Sequence, residues 1–205
     1  ELLDALFGVV PAVSGTIAVS GQKVELHSPS DAIALGLALV PEDRKGQGLV
    51  LQMSVKENTS MASLKAHAVN GIFRNGEREE QDTDEMIARL STKTPNADQT
   101  AGFLSGGNQQ KVVLGKWLAT EPSLLLMDEP TRGIDIGAKQ EIYQLMEELA
   151  SQGMAVLFVS SELEEIIGMS DRTIVMHEGK ITGELPREDL AEESIMHLAT
   201  GGVQH

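Results

Sequence analysis

The sequence predicts an α/β fold: a mainly parallel sheet flanked by helices, with a helical subdomain inserted in it. Helix and strand patterns alternate along the second half of the 205 residues. The candidate strands there are largely continuous apolar runs, as in parallel strands that are covered on both faces. The length suits one domain with a sizeable core. We therefore expect residues 1–205 to form a single domain.

The first fifty residues carry short elements. We predict a short helix at the start of the chain, a half-buried strand and turn at 15–21, a short helix at 30–36 capped by Ser30, and a buried strand at 37–41. Asp31 falls in the first turn of the second helix, where a carboxylate is favourable. A polar loop at 42–48 follows the buried strand directly.

From residue 54 to about 104 the pattern becomes polar and helix-friendly, with one helix predicted at 77–91. We interpret this stretch as the inserted helical subdomain. Its charged side chains, Arg74, Arg78, Glu79 and Glu80, are expected to form a solvated helix face.

The α/β alternation returns after Gly102. The predicted helices are 107–120, 136–151 and 162–168, and the predicted strands are 123–128, 154–160, 172–177 and 181–185. The helix 136–151 has an apolar stripe that we expect to be core: Ala138, Ile142, Leu145, Met146 and Leu149. A tight turn is predicted at 178–180. In parallel sheets ligands bind at the carboxyl ends of the strands, where Asp128, Glu129 and Ser161 fall.

Composition excludes several classes of function. The net charge of −15 argues against a nucleic-acid partner, because binding a polyanion requires a basic face. The absence of cysteine excludes disulfides and cysteine-ligated metals. No apolar run approaches the roughly 20 residues that span a bilayer, so we expect any membrane association to occur through a protein partner.

Two strings carry most of the chemistry. Residues 104–111 (LSGGNQQK) form a helix start suited to an anion, because Ser105 is a good N-cap and two glycines leave backbone N–H groups uncovered. Residues 124–130 (LLLMDEP) form a buried strand that ends in two carboxylates, as a magnesium-phosphate site requires. The alternative is that Asp128 and Glu129 merely end a strand.

In this order and spacing, and followed by 131–135 (TRGID), the two strings resemble the signature and Walker B motifs of the ABC ATPases. The resemblance implies a P-loop NTPase fold, with ATP and Mg²⁺ as ligands. No G-x-x-x-x-G-K-[ST] stretch is present, and residues 1–8 resemble the helix that follows a P-loop in this family. We therefore expect a domain cut just after its P-loop, unable to hydrolyse ATP alone. We also expect it to be marginally stable, with the strand 123–128 exposing an edge.

The resemblance also implies roles for individual residues. Glu129 is the candidate general base, and Asp128 the residue that binds nucleotide-associated Mg²⁺. Asp135 resembles the D-loop aspartate that touches a partner domain, and Arg132 is expected to be an exposed loop residue. The other nucleotide-binding candidates are Ser105, Gly106, Gly107, Gln109, Glu42 and Ser161.

The resemblance is closest to the second ATPase domain of tandem sugar importers of the ribose, galactose and xylose type. Three strings carry it: 41–45 (PEDRK), 104–111 and 159–163 (VSSEL). Glu42 stands where the Q-loop glutamine is expected, and Ser161 where the switch histidine is expected. Both departures weaken a catalytic interpretation of the domain's own site.

The resemblance further implies partners and a location. They are a partner ABC ATPase domain, membrane permease subunits that contact segment 54–100 and, indirectly, a periplasmic sugar-binding protein. The location is the cytoplasmic face of the bacterial inner membrane, as a peripheral subunit. One alternative is a degenerate module that binds partners without hydrolysing ATP. Another is a chromosome-maintenance or repair ATPase, which the shortness of segment 54–100 and its lack of sustained heptads disfavour.

Overall fold

The computed structural model describes residues 1–64 and 75–202. These residues form two compact units, Glu1–Val159 and Ser160–His205. The prediction for Arg74 lies outside the described residues. Within them, no helix is both long enough and apolar enough to cross a bilayer.

The first unit contains six α-helices and five strands among its described residues. Its helices are α1 (Leu2–Leu6), α2 (Pro29–Ala34), α3 (Val55–Ser60), α4 (Gly76–Arg89), α5 (Gly106–Leu118) and α6 (Ile136–Ser151). Its strands are β1 (Ile17–Val19), β2 (Gln22–Val24), β3 (Leu37–Val40), β4 (Leu124–Asp128) and β5 (Ala155–Val159). A π-helical turn covers Arg44–Gly48, within the segment predicted as a polar loop.

A three-stranded parallel sheet forms the centre of this unit, in the order β3-β4-β5. All of β3 is buried and so is the middle of β4, as their apolar runs predict. In β5 exposed and partly buried residues alternate, so this strand is less covered than its sequence suggests. β1 and β2 form a separate antiparallel hairpin.

The expectation that β4 exposes an edge is wrong, because β3 pairs with one side of it and β5 with the other. Among the described strands, the sheet edges are those of β3 and β5. The carboxyl end of β4 is therefore held by β3 as far as Met127 and by β5 as far as Asp128.

The cap of α2 also differs from the prediction. Ser28, and not Ser30, is the N-cap residue, and Pro29 occupies the first turn. The Asp31 carboxylate accepts hydrogen bonds from the Ser28 hydroxyl and the His27 N–H, each 3.0 Å long. Proline suits the first turn because its missing N–H would have no partner there, which moves the cap upstream.

Helix α3 was not predicted separately, although its sequence contains a start signal. Ser54 and Glu57 form a reciprocal capping box: the Ser54 hydroxyl accepts from the Glu57 N–H, and the Glu57 carboxylate accepts from the Ser54 N–H. This pattern of Ser and Glu three residues apart marks helix starts. Helix α4 matches the predicted helix 77–91 closely, but Glu79 is buried and not part of a solvated face, because it lies on the side of α4 that packs against the fold.

Helix α5 is the central helix of the first unit. It contacts α3, α4, α6 and β3, and it is buried continuously from Gln109 to Leu118. Helix α6 presents the predicted apolar stripe, of which Ile142, Leu145, Met146 and Leu149 are buried. The amino end of α5 is therefore fixed by packing around the rest of the helix.

The second unit contains α7 (Leu163–Met169), the antiparallel pair β6 (Arg172–His177) and β7 (Lys180–Pro186), and α8 (Glu192–Ala199). Its core is the buried cluster Val175, Leu185, Ile195 and Leu198. The predicted turn between the strands is confirmed: Glu178 and Gly179 both have positive φ, +47° and +76°.

Candidate functional site

The start of α5 is built around Ser105. Ser105 is the N-cap residue, and its Oγ accepts from the Asn108 N–H at 3.5 Å and from Asn108 Nδ2 at 2.9 Å. The Asn108 Oδ1 in turn accepts from the Lys93 N–H at 2.8 Å. Ser105 and Asn108 line a hollow of about 170 Å³ between the start of α5 and the start of α6. Helix N-termini of this kind favour anions.

The two glycines that follow Ser105 are needed for close packing. A Cβ on Gly106 would lie 2.8 Å from Arg44 Nη2 and 3.1 Å from the Gly133 carbonyl oxygen. A Cβ on Gly107 would lie 2.5 Å from the Ala138 Cβ. Sequence reasoning assigned these glycines to phosphate binding alone, whereas the structure also gives each of them a packing reason.

Gln109, another predicted nucleotide-binding residue, has a buried side chain. Its Nε2 donates to the Ala101 carbonyl at 3.2 Å, which ties α5 to the 3₁₀ turn Ala101–Phe103 just before the signature-like string. This contact supports the local conformation of the string from inside the fold.

Asp128 and Glu129 lie at the carboxyl end of β4, as predicted. Burial raises the pKa of the Asp128 carboxyl, and the nearby Glu129 carboxylate also raises it. Glu129 has φ +46°, in the left-handed region that non-glycine residues seldom adopt. Its N–H donates to the Val159 carbonyl at 2.9 Å, which continues the pairing of β4 with β5. Backbone strain of this sort concentrates at functional sites.

Glu42 follows β3 and forms an ion pair with Arg132, in the loop after β4. The expectation that Arg132 is an exposed loop residue is confirmed, since 63% of its side chain is exposed, but it has an ionic partner. Glu42 brings a negative charge to the position where the Q-loop glutamine is expected. The Arg132 guanidinium offsets part of that charge.

Arg44 is the residue that sequence reasoning missed. Its guanidinium donates to the carbonyl oxygens of Arg132, at 2.8 Å, and Gly133, at 3.0 Å, and it lies against Gly106. One side chain thus joins the segment after β3, the start of α5 and the loop after β4. The string PEDRK was noted as a family feature, but a pattern in sequence does not reveal contacts 88 and 89 residues away.

Asp135 is the N-cap of α6, and its Oδ1 accepts from the Ala138 N–H at 3.0 Å. It lines the same hollow as Ser105. Glu141, in the second turn of α6, also lines the hollow and binds the buried Lys111 ammonium at 2.7 Å. That ammonium lowers the pKa of the Glu141 carboxyl. The D-loop-like residue and the signature-like string are therefore neighbours.

Ser161 belongs to the second unit, where it is exposed just before α7. Its role at a nucleotide site stays a prediction. The structure brings together four segments of the first unit instead: the PEDRK string, the start of α5, the end of β4 and the loop that leads to α6.

The fold defines a class of structure, the α/β cassettes of the kind found in ABC transporters. Among solved structures, the fold is similar to that of a nucleotide-free ATP-binding cassette from an ABC transporter, with a TM-score of 0.81 and 22% identity. The similarity covers 96% of this chain and 81% of that one. At this identity the comparison shows the fold.

Sequence comparison then gives the family. The ABC transporter family profile matches residues 1–132. The ribose import ATP-binding protein RbsA of Oceanobacillus iheyensis is 49% identical over 205 residues, which are 100% of this chain and 41% of that protein. A putative ribose/galactose/methyl galactoside import ATP-binding protein of Rhizobium etli is 52% identical over 202 residues, 98% of this chain and 38% of that protein.

The chain belongs to the ABC transporter family. It spans about two fifths of the length of these two relatives.

Proposed function

We propose that the chain is an ATP-binding and ATP-hydrolysing domain that energises sugar import by an ABC transporter. The observation that carries the proposal is the convergence on Arg44. This residue holds the start of the signature-like helix α5 against the loop that follows the Asp128–Glu129 pair. The relatives named for ribose and galactose import support the sugar class.

The residues present fit a magnesium–nucleotide complex. The described part of the chain holds no cluster of three His, Cys, Asp or Glu that could cage a metal. Mg²⁺ is commonly bound by one or two carboxylates together with substrate phosphates. Asp128 would supply the carboxylate. When bound, Mg²⁺ neutralises the charge on the phosphates.

Glu129 is proposed as the general base. Its carboxylate follows the buried strand directly, and its left-handed backbone turns the chain at the point where the strand ends. In this role it would orient a water molecule and accept its proton. Glu129→Gln keeps the shape of the side chain and removes the basicity.

The Ser105–Gly107 segment is proposed to serve ATP held by the P-loop of a partner domain. A capped helix start with available backbone N–H groups suits the terminal phosphate of such a nucleotide. Asp128, Glu129, Glu42 and Ser161 would instead belong to the nucleotide site of this domain itself. The two half-sites then have different roles.

We further propose the assembly. The partners are a second ABC ATPase domain, membrane permease subunits that contact segment 54–100 and, indirectly, a periplasmic sugar-binding protein. Their place would be the cytoplasmic face of the inner membrane. The net charge of −15 disfavours nucleic acid.

A second candidate is a module that donates its signature segment without hydrolysing ATP at its own site. The Glu42–Arg132 ion pair favours this candidate, because the residue at the Q-loop position is already bound by another residue of the same chain. Glu129→Gln separates the candidates. Under the first function it should abolish the ATP hydrolysis that this domain's own site contributes. Under the second it should change the rate of ATP hydrolysis little.

Signature donation is tested by Ser105→Ala in the reconstituted transporter, measured as sugar-stimulated ATP hydrolysis. Removing one preorganised donor costs on the order of 10²–10³ in rate. Gly106→Asp should be at least as severe, because it adds a repelling carboxylate and displaces Arg44. Ser161→His is the control and should change little. Near-normal turnover of Ser105→Ala, or a several-fold gain in Ser161→His, would mean that the half-sites are assigned wrongly.

A further inference from the structure

Asn108 has no role in the function proposed above, yet its side chain makes two directed contacts. Its Oδ1 accepts from the Lys93 N–H at 2.8 Å, and its Nδ2 donates to Ser105 Oγ at 2.9 Å. Lys93 lies in the connection after α4, and Ser105 caps α5. The Asn108 side chain therefore links the backbone at Lys93, before the signature-like string, to Ser105, the N-cap residue of α5.

The Lys93 contact fixes which way round the Asn108 amide lies. A backbone N–H can only donate, so the atom that faces it must be the carbonyl oxygen. The amide nitrogen is then turned to Ser105. This assignment follows from the hydrogen-bond network, which is the basis for orienting Asn side chains.

The orientation of Asn108 in turn fixes the role of the Ser105 hydroxyl. A serine hydroxyl has two lone pairs and one proton. The Asn108 N–H, at 3.5 Å, and Asn108 Nδ2, at 2.9 Å, both donate to Oγ. With both lone pairs engaged, the hydroxyl proton remains to be donated elsewhere.

Ser105 lies beside an open space into which the hydroxyl can donate that proton. Ser105 lines the hollow of about 170 Å³ between α5 and α6. Of the two carboxylates on its wall, Glu141 binds Lys111, and Asp135 accepts from the Ala138 N–H through one of its two oxygens, Oδ1. An oxygen ligand that enters the hollow would meet a hydroxyl already set to donate.

We infer that Asn108 is a positioning residue that sets the polarity of the Ser105 hydroxyl, presenting it as a donor to a phosphate oxygen. The inference rests on the proposed donation of Ser105 to a partner's ATP. It explains why a short amide suits this position. An aspartate would have the same shape but would accept the Ser105 proton and turn it away from the hollow.

The first test needs no nucleotide. In the full chain labelled with ¹⁵N-asparagine, the side-chain NH₂ resonances of Asn108 report its bond to Ser105. Ser105→Ala should shift the bonded proton upfield and leave the resonances of Asn96, an exposed asparagine, unchanged. Unchanged Asn108 resonances in Ser105→Ala would overturn the inference.

The second test is a double-mutant cycle on ATP hydrolysis by the reconstituted transporter. Ser105→Ala and Asn108→Asp should each reduce the rate by on the order of 10²–10³. The double variant should resemble the single variants within about threefold, because both changes remove the same donor. Asn96→Asp, which adds the same charge in an exposed loop, should keep the normal rate.

The outcomes separate the inference from the proposed function. The role of Asn108 would be overturned if the fold-losses in rate of the two single variants multiplied in the double variant. A normal rate in Asn108→Asp would overturn it as well. In either case Ser105 would remain a donor. A normal rate in Ser105→Ala would instead remove the proposed function, and this inference with it. Thermal melting of each variant shows whether a loss of rate reflects a loss of fold.

Discussion

At the residue scale, Gly107 shows how packing restricts the start of α5. Its Cα faces α6, where a Cβ would come within 2.5 Å of the Ala138 Cβ. Gly107 is buried and Ala138 is partly buried, and a clash between two Cβ atoms cannot be relieved by a change of rotamer. The glycine lets α5 and α6 approach closely, and this approach places Ser105 beside Asp135.

We therefore expect Gly107→Ala to lower the free energy of unfolding by about 1–3 kcal/mol through overpacking. The measurement is urea denaturation. Gly76→Ala is the matched control, because a Cβ on Gly76, at the start of α4, meets no atom within 4 Å. Equal free energies of unfolding of the two variants would show that the added Cβ and Ala138 move apart without loss of stability.

Lys116, near the end of α5, is a buried ammonium. It donates to the Gly48 carbonyl at 2.6 Å and lies 5.0 Å from the centre of the Trp117 ring. Burial lowers the pKa of Lys116 from 10.5 to about 8. The folded state therefore binds the proton less tightly than the unfolded state does.

This depression of the pKa sets the direction of a pH dependence. The destabilising effect of the charge is fully present below about pH 8 and is relieved as the pH rises towards 10.5. It amounts to roughly 3 kcal/mol. We expect Lys116→Met to remove this rise in the free energy of unfolding between pH 8 and 10.5, measured by urea denaturation. Lys23→Met, at an exposed position in β2, should keep it, and a rise that persists in Lys116→Met would contradict the prediction.

At the scale of elements, Arg44 connects three segments that are distant in sequence. Its two donated hydrogen bonds hold the loop after β4, and its guanidinium covers Gly106 at the start of α5. Arginine suits this position because its planar group has several donors in a fixed geometry, whereas lysine is a point charge.

We expect Arg44→Lys to lower the free energy of unfolding by roughly 1–2 kcal/mol, because the lysine retains the charge but not the paired donation. Hydrogen exchange should become faster at the backbone amides of residues 132–135. The neighbouring variant Lys45→Gln is the control and should leave both quantities unchanged. Unaltered exchange in Arg44→Lys would mean that the loop is held by other contacts.

Sequence patterns predicted those elements whose signals are local. The apolar runs gave β3 and β4, the 3.6-residue stripe gave α6, and the Glu-Gly pair gave the β6–β7 turn. Ser105, Asp128 and Glu129 could be predicted as site residues because short motifs carry them. Sequence could not reveal Arg44 or the Gly107–Ala138 contact, because both depend on how separate elements pack. The cap at Ser28 was missed because Pro29 displaced it from the expected position.

At the scale of the whole molecule, the outer side of β5 is the most open apolar part of the sheet. Leu157 and Val159 are 39% and 42% exposed, and β4 is the one partner of β5 among the described strands. An open strand edge with apolar side chains is a template for association between chains.

We expect the chain of 205 residues to self-associate as its concentration rises, and Leu157→Lys to suppress this, as charged residues on edge strands do. Sedimentation velocity measures the effect. Val13→Lys is the control, because Val13 is fully exposed in a loop and belongs to no strand. Equal self-association of Leu157→Lys and the unmodified chain would exclude β5 as the contact.

The packing around Trp117 has an optical consequence. Trp117 is the single tryptophan of the chain, it is largely buried, and the Phe7 ring meets it edge-on at 5.3 Å. Excitation of indole therefore reads out one place only, the carboxyl-terminal part of the central helix. Because the Lys116 ammonium lies over the same ring, the emission should change as that ammonium loses its proton near pH 8. The fluorescence of Trp117 thus reports the protonation state of the buried Lys116 without an added label.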